Sequence, residues 1–196
     1  MTAILILITA VTMTLDPPKP QPFSPGTDLT INLGWQDGRD ITPDGGYFSI
    51  GMLTQRTGNR RWAYELAFVS RDDHCHYVDN DRRCANEWGV HVFAGVNYDL
   101  PLSNDRKLFV SLRGGFFAAL GSIDRYYYDN YYDDWDDDNL FIAAGVMGKA
   151  GIYIEFTPIR LGFEVMAGFG PSIGTESGID FYLPVSGQFT FHYIFQ

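Results

Sequence analysis

We predict an all-β fold, an eight-stranded antiparallel up-and-down barrel, from three features of the sequence. Beyond residue 27, apolar residues alternate with small or polar ones, and this two-residue period is typical of β-strands. Turn-forming segments separate the alternating stretches, and along the chain long segments alternate with shorter ones. Aromatic residues make up 16% of the 196-residue chain and glycine occurs 21 times, a composition that suits an all-β protein with many turns.

The first four predicted strands each place apolar side chains on one face. They cover residues 28–36, 46–55, 60–70 and 87–98. The first aligns Leu29, Ile31 and Leu33 against polar neighbours, and the second is the weakest, with only three apolar residues on its face. The third and fourth each carry a tryptophan on the apolar face, Trp62 and Trp88.

The last four predicted strands repeat the pattern over residues 107–120, 141–156, 160–169 and 181–195. Segments 36–46, 70–86, 123–139 and 170–180 are the long connections between strands, and the intervening ones are shorter. Because strands of an up-and-down barrel alternate in direction, every long loop falls at one end. Both chain termini fall at the other.

The apolar faces carry almost no charge, whereas the opposite faces carry small residues and a few charged ones. An eight-stranded barrel has an interior just wide enough for side chains. The oily face therefore suits lipid contact, and a closed barrel leaves no unpaired backbone groups in the hydrocarbon. We predict a transmembrane barrel; a soluble lipocalin-like barrel with its Phe and Val faces inward is the alternative fold.

The pattern resembles the small outer-membrane barrels of the OmpA/OmpX type over residues 28–196. The last strand, SGQFTFHYIF, is similar to the aromatic C-terminal strand that this family uses as an assembly signal, although Gln196 follows the final Phe195. The resemblance implies a location in the bacterial outer membrane, with the lipid bilayer as the main partner. It supports fold and location more than function.

The N-terminal residues divide into two predicted segments. Residues 1–16 contain an apolar stretch of signal-peptide length, so they are either an export signal or a retained apolar arm. Residues 17–27 form a Pro-rich linker, and residues 28–196 form the barrel domain. The net charge of −10 argues against nucleic acid as a partner.

We predict a charge network inside the lumen, because lone buried charges are costly there. Placing the turn at residues 157–160 sets Glu155 opposite Arg160 and puts Lys149 one diagonal step from Glu164. The network either plugs the lumen or lines a gated proton or ion path. Its predicted members are Glu65, His91, Arg113, Lys149, Glu155, Arg160 and Glu164.

We predict that the protein is not an enzyme. A barrel that modifies lipids would need a serine beside a histidine. Ser186 and His192 share a strand face, but six residues put them about 20 Å apart. A serine or carboxylate within hydrogen-bond reach of His91 or His192 would favour the enzyme.

Two cysteines, Cys75 and Cys84, lie in loop 70–87, and we predict that they form a disulfide worth about 2–3 kcal/mol. The alternative is a zinc site that also uses the two neighbouring histidines. The spacing of these four residues matches no usual structural zinc site.

Loop 123–139 is rich in aromatic and acidic residues. Its aromatic residues suit surface contact with a protein or glycan, or they pack on the other loops without a partner: Tyr126, Tyr127, Tyr128, Tyr131, Tyr132 and Trp135. Its aspartates are weak candidates for binding Ca²⁺: Asp133, Asp134, Asp136, Asp137 and Asp138. No other cofactor is expected.

We therefore predict an outer-membrane barrel with a plugged lumen that acts in envelope structure and in surface contact through its outer loops. The main alternative is a small pore for ions or hydrophobic solutes. A polar path that is continuous through the lumen would favour the pore, whereas closed pairs of Glu with Arg or Lys would oppose it.

Overall fold

The computed structural model describes residues 26–38, 42–54, 60–78, 81–103, 107–123, 139–175 and 178–195, without the side chains of 72–78, 81–86 and 139. The described chain is built from strands alone, and none of its segments is a helix that could span a membrane. The strands are β1 (Thr27–Asp37), β2 (Gly45–Leu53), β3 (Arg60–Val78), β4 (Asp81–Pro101), β5 (Leu108–Ile123), β6 (Asn139–Phe156), β7 (Ile159–Gly174), β8 (Gly178–Tyr182) and β9 (Val185–Phe195).

These strands form one closed antiparallel barrel. Each strand from β1 to β7 pairs with the next, β7 pairs with both β8 and β9, and β9 closes the barrel against β1. The strands β8 and β9 together occupy one strand position of the barrel, because the pairing register of β7 with β8 continues unchanged into its pairing with β9. At the break between β8 and β9, Gly168 N donates to Pro184 O at 2.9 Å. Pro184 has no N–H of its own, which interrupts the ladder. The predicted eight-stranded up-and-down barrel is confirmed.

The two ends of the barrel differ. We call the end with the turn at residues 157–158 and both described chain ends the lower end, and the opposite end the upper end. At the turn, Glu155 pairs with Arg160 and Gly151 with Glu164, which is the predicted register.

Two predicted upper loops are wrong. Strand β3 continues to Val78 and β4 begins at Asp81, so most of loop 70–87 is a paired hairpin. Segment 170–180 is likewise paired strand, through Gly174 and from Gly178. The first stretch has no apolar alternation in its sequence, and glycines and a proline interrupt the second, although Ile173 and Ile179 lie exposed on its outer face. Continued pairing still satisfies their backbone groups.

The exterior of the barrel is apolar and the interior holds the charges. Burial alternates residue by residue, as along β2 and β9. Phe189 is 72% exposed while Glu164 is 1% exposed, the reverse of a water-soluble barrel. The soluble alternative is therefore wrong. Trp35 and Trp88 lie on the outer face towards the upper end, and Tyr193 lies on it near the lower end. Membrane barrels carry girdles of aromatic residues at these two levels, beside the lipid headgroups.

Candidate functional site

The middle of the lumen holds a cluster of charges centred on Glu65. Lys149 Nζ lies 2.6 Å from Glu65 Oε1 and 2.7 Å from Oε2. Arg113 reaches Glu65 Oε2 at 3.1 Å, and Tyr47 Oη donates to Oε1 at 2.6 Å. Strands β2, β3, β5 and β6 supply these four side chains, so the contacts cross the lumen rather than follow one ladder.

Glu164 on β7 forms the other acidic half of this central cluster. It lies 3.4 Å from Arg113 Nη2 and accepts a hydrogen bond from the Tyr153 hydroxyl. Asn97 on β4 accepts from Arg113 Nε at 3.3 Å and from Ser111 Oγ at 2.8 Å. The two carboxylates and two cations of the cluster balance in charge, as a low-dielectric interior requires.

The predicted pairing of Lys149 with Glu164 is wrong. Lys149 bonds to Glu65 instead, and Glu164 bonds to Arg113. The diagonal rule considers only neighbouring strands of a sheet, whereas in a narrow closed barrel a long side chain also reaches strands across the lumen. The Lys149 side chain crosses from β6 to β3.

A second cluster, the lower cage, lies at the lower end. Arg160 contacts Glu155 at 2.8 Å and Asp99 at 3.4 Å, and its guanidinium lies over the Phe109 ring at 4.5 Å. This places the predicted Glu155–Arg160 neighbours in direct contact.

Three further members of the lower cage, Arg61, Asp28 and Asp99, were not predicted from the sequence. Arg61 Nη1 lies 2.6 Å from Asp28 Oδ2 and Nη2 lies 3.5 Å from Asp99 Oδ2. The outward position of Trp62 already implied that Arg61 points inward. The two aspartates stand near strand ends, where the sequence alone favours a turn.

His91 does not join the charged clusters. Its Nε2 contacts the Tyr182 hydroxyl, and its ring lies 6.5 Å from the Tyr47 ring. Tyr182 stacks on Phe141 at 5.4 Å between ring centroids and lies 5.6 Å from Phe117. These rings form an aromatic layer in the lumen above the central cluster, and Phe117, Phe141 and Tyr182 belong to the hydrophobic core.

Residues 42–44, which we call the 42–44 cap, bond to several strands at the upper end of the barrel. Leu183 N donates to Thr42 Oγ1 at 2.8 Å, and Gln36 Nε2 donates to Pro43 O at 2.9 Å. The break between β8 and β9 frees the Leu183 N–H for this bond. A Cβ on Gly89 would lie 2.9 Å from the Pro43 ring, so the glycine on β4 makes room for the cap.

Asp44 ties the cap to the opposite wall. Its Oδ2 lies 3.0 Å from Arg71 Nη1, and its backbone N–H donates to Glu87 Oε2 at 2.8 Å. The cap therefore bonds to β1, β3, β4 and the stretch between β8 and β9.

Among the residues that the structure describes, the enzyme alternative gains a carboxylate beside a histidine but no serine beside one. Asp28 Oδ2 lies 3.4 Å from His192 Nδ1, and both side chains are buried in the lumen. Ser186 Oγ has no hydrogen-bond partner among the described residues, so it is not activated by either histidine.

Other predicted sites lie outside the described residues or side chains. The aromatic residues and aspartates between positions 124 and 138 fall there, as do the N-terminal segments up to residue 25. Cys75 and Cys84 face each other directly in the ladder of β3 and β4, but their side chains are not described. Within the described part of the chain, no three His, Cys, Asp or Glu residues are placed to hold a metal ion.

Comparison with solved structures identifies the architecture. Neisserial surface protein A is 12% identical with a TM-score of 0.52, covering 87% of this chain and 96% of its own. A major outer membrane protein from Thermus thermophilus is 12% identical with a TM-score of 0.52, covering 88% and 100%. Ail, the attachment invasion locus protein of Yersinia pestis, is 10% identical with a TM-score of 0.51, covering 87% and 97%.

The fold is that of the small eight-stranded outer-membrane barrels. The predicted resemblance is confirmed at this level, and the match spans nearly the whole of each solved chain. The sequence matches no family model and no curated protein. At 10–12% identity the likeness lies in the architecture alone. A barrel of this kind needs alternating apolar and polar positions, and many different side chains can fill them.

Proposed function

We propose that this chain is a bacterial outer-membrane barrel whose lumen is plugged by side chains, and that it acts in envelope structure and in surface contact. The apolar exterior supports insertion in lipid, and the fold supports the outer membrane as its location. With the lower end towards the periplasm, the upper ends of the strands face outside the cell, including the β3–β4 and β7–β8 hairpins, which we call the tall hairpins.

The plugged lumen is the part of the proposal that the contacts support most directly. Both charged clusters consist of closed pairs, such as Lys149 with Glu65 and Arg61 with Asp28, and all of their charged side chains except Glu155 are almost fully buried. The aromatic layer lies above them, and the 42–44 cap bonds to several strands at the upper end. Ions would have to break several buried pairs to pass, so these contacts favour a plug over the alternative pore.

Surface contact through loop 123–139 rests on its composition. The loop carries five tyrosines and one tryptophan, together with seven aspartates against one arginine. Rigid aromatic side chains supply contact area at low entropic cost. The negative charge attracts a basic protein surface, is compatible with a neutral glycan and repels polyanions. Ail, which shares the fold, is an attachment invasion locus protein by its name.

Location is tested by membrane fractionation and gel migration. The protein should be found with outer membranes and should resist SDS when cold, migrating differently once it is boiled. Recovery in the soluble fraction without detergent, or a single mobility in both samples, would contradict the membrane barrel.

The contact loop is tested with cells that display the protein, on surfaces coated with a basic protein or a neutral glycan. Serine at the six aromatic positions, Tyr126, Tyr127, Tyr128, Tyr131, Tyr132 and Trp135, should abolish attachment while cold SDS resistance remains. The matched control replaces Asp133, Asp134, Asp136, Asp137 and Asp138 by Asn, which keeps the aromatic residues. Equal attachment by wild type and the serine variant would refute an aromatic contact loop.

We also propose a Cys75–Cys84 disulfide that braces the β3–β4 hairpin. The two residues are directly opposed in the backbone ladder, a spacing that a disulfide can bridge. Thiol labelling of the unfolded protein should detect both cysteines only after reduction. Labelling without reductant would exclude the disulfide and reopen the metal alternative.

We also predict, as a separate point, that the aspartates of loop 123–139 bind Ca²⁺. Titration of the folded barrel with Ca²⁺ should show binding that is lost when the five aspartates become Asn. No heat of binding at millimolar Ca²⁺ would exclude a site there.

A further inference from the structure

The facing residues of β1 and β9 line the lumen with neutral polar groups. Along this ladder Thr30 is opposite His192, Asn32 opposite Thr190, and Gly34 opposite Gln188, with Ser186 next towards the upper end. We call this wall the β1–β9 seam. Its side chains are buried, between 0% and 3% exposed, yet none carries a full charge comparable to those of the lumen clusters.

Several buried polar atoms of the seam have no hydrogen-bond partner among the described residues. Asn32 bonds through one end of its amide to Ser49 at 2.7 Å, and Gln188 reaches Glu164 through one end of its amide at 3.5 Å. The other ends of both amides are unpaired, as are Thr30 Oγ1, Ser186 Oγ and His192 Nε2. The unpaired atoms follow one another along the length of the seam, from the lower cage towards the cap.

Asn97 on the opposite wall shows that deep burial in this lumen does not by itself leave an amide unpaired. Asn97 is as deeply buried as Asn32, with both side chains 0% exposed. Asn97 donates to Asp99 at 2.8 Å and accepts from Ser111 and Arg113, so both ends of its amide are satisfied. Two equally buried asparagines in the same barrel therefore differ in whether the protein supplies their partners.

We propose that the β1–β9 seam is a binding site for a file of ordered water molecules. Unpaired buried polar groups are costly, and proteins commonly satisfy them with buried waters that make about three hydrogen bonds each. Water fits better than a metal ion because the unpaired atoms of the seam belong to neutral amide, hydroxyl and imidazole groups, with no carboxylate or thiolate among them. Neighbouring positions on paired strands lie about 5 Å apart, a spacing that single waters bridge.

Both ends of the file are bounded by described contacts. Above the seam, Thr42 of the cap bonds to Leu183, and below it, His192 contacts Asp28. The waters are therefore held within the barrel, and the proposal adds a bound ligand to the plugged lumen without opening a channel. The hydrogen bonds of His192 Nε2 are completed by the lowest water.

The test is the nuclear Overhauser effect between water and side-chain amide protons, in protein refolded in deuterated detergent micelles. Asn32 and Asn97 serve as matched probes in a single sample. Their signals are assigned by the loss of one NH₂ pair in Asn32→Asp and in Asn97→Asp. Rotating-frame measurements separate direct contact with water from chemical exchange.

The expected result is direct water contact at the Asn32 and Gln188 amides and none at Asn97. Water contact at none of these amides would overturn the proposal, because it would show a dry seam. Equal contact at Asn97 would also overturn it, since hydration would then fill the whole lumen rather than follow the seam.

Discussion

The two walls of the lumen treat buried polarity differently. Strands β3, β5, β6 and β7 supply the charged side chains of the central cluster, and each of these charges meets an opposite one. Along the β1–β9 seam the side chains are neutral, and several atoms have no partner within the described protein. The contrast follows from cost, because an unpaired buried charge destabilises a fold far more than an unpaired amide or hydroxyl.

The comparison assigns different roles to the two walls. The charged wall makes contacts across the lumen, from β3 to β6 and from β5 to β7, and so holds distant strands together. The neutral seam bonds mainly to its own neighbours, as Asn32 does to Ser49. Substitutions should therefore cost more on the charged wall.

The largest expected effect is that of Glu65→Leu. It leaves Lys149 buried without its carboxylate and removes one partner of Arg113, so the free energy of unfolding should fall by about 3–5 kcal/mol. Urea titration in lipid vesicles measures the loss. The control, Glu155→Gln, lies at the partly exposed lower end and should cost about 1 kcal/mol or less. Equal costs for the two variants would contradict the distinction.

A compensating change sharpens this result. Glu65→Leu combined with Lys149→Met replaces the buried pair with apolar side chains, while Arg113 keeps Glu164 and Asn97. The double variant should return to within about 2 kcal/mol of the wild type, because well-packed apolar residues substitute for a buried ion pair. If adding Lys149→Met lowered the free energy of unfolding further, Lys149 would make stabilising contacts with groups other than Glu65.

Double-mutant cycles test which charges are paired. Glu164→Gln with Arg113→Met should show a coupling energy of about 1–3 kcal/mol, whereas Glu164→Gln with Lys149→Met should show less than about 0.5 kcal/mol. The same urea titrations supply all four corners of each cycle. Stronger coupling to Lys149 would restore the pairing expected from sequence and refute the observed one.

The smallest expected difference separates the two buried asparagines. Asn97→Ala removes partners from Arg113, Ser111 and Asp99 and should cost about 2–3 kcal/mol, whereas Asn32→Ala removes one protein hydrogen bond and should cost about 1 kcal/mol. Thermal unfolding in detergent ranks the two variants. A greater cost for Asn32→Ala would show that the seam is as tightly bonded as the charged wall.

Much of the fold could be predicted from the sequence, because strand faces depend on a local two-residue period. The turn at residues 157–158 even set the register of β6 against β7, with Glu155 opposite Arg160. The tall hairpins could not be predicted in this way. The sequence of the β3–β4 extension shows no apolar alternation, and glycines and Pro171 interrupt the β7–β8 extension, so the two-residue period does not reveal either pairing.

The pairing of the lumen charges was harder to predict. Lys149 and Glu65 are 84 residues apart in sequence and meet only because the barrel closes. Which charges point inward follows from alternation, but which of them touch depends on the width of the lumen and on the tilt of the strands. The 42–44 cap escaped prediction for a similar reason, since Pro43 lies against Gly89 on a distant strand.

The central claim, that charge pairs and the cap close the lumen, is tested most directly by conductance. Refolded wild-type protein is added to a planar lipid bilayer, with a large porin as the positive control for insertion and detection. We predict no steady single-channel steps from the wild type under an applied voltage. Regular conductance steps of one size from correctly folded, SDS-resistant protein would contradict the plug and establish the barrel as a pore.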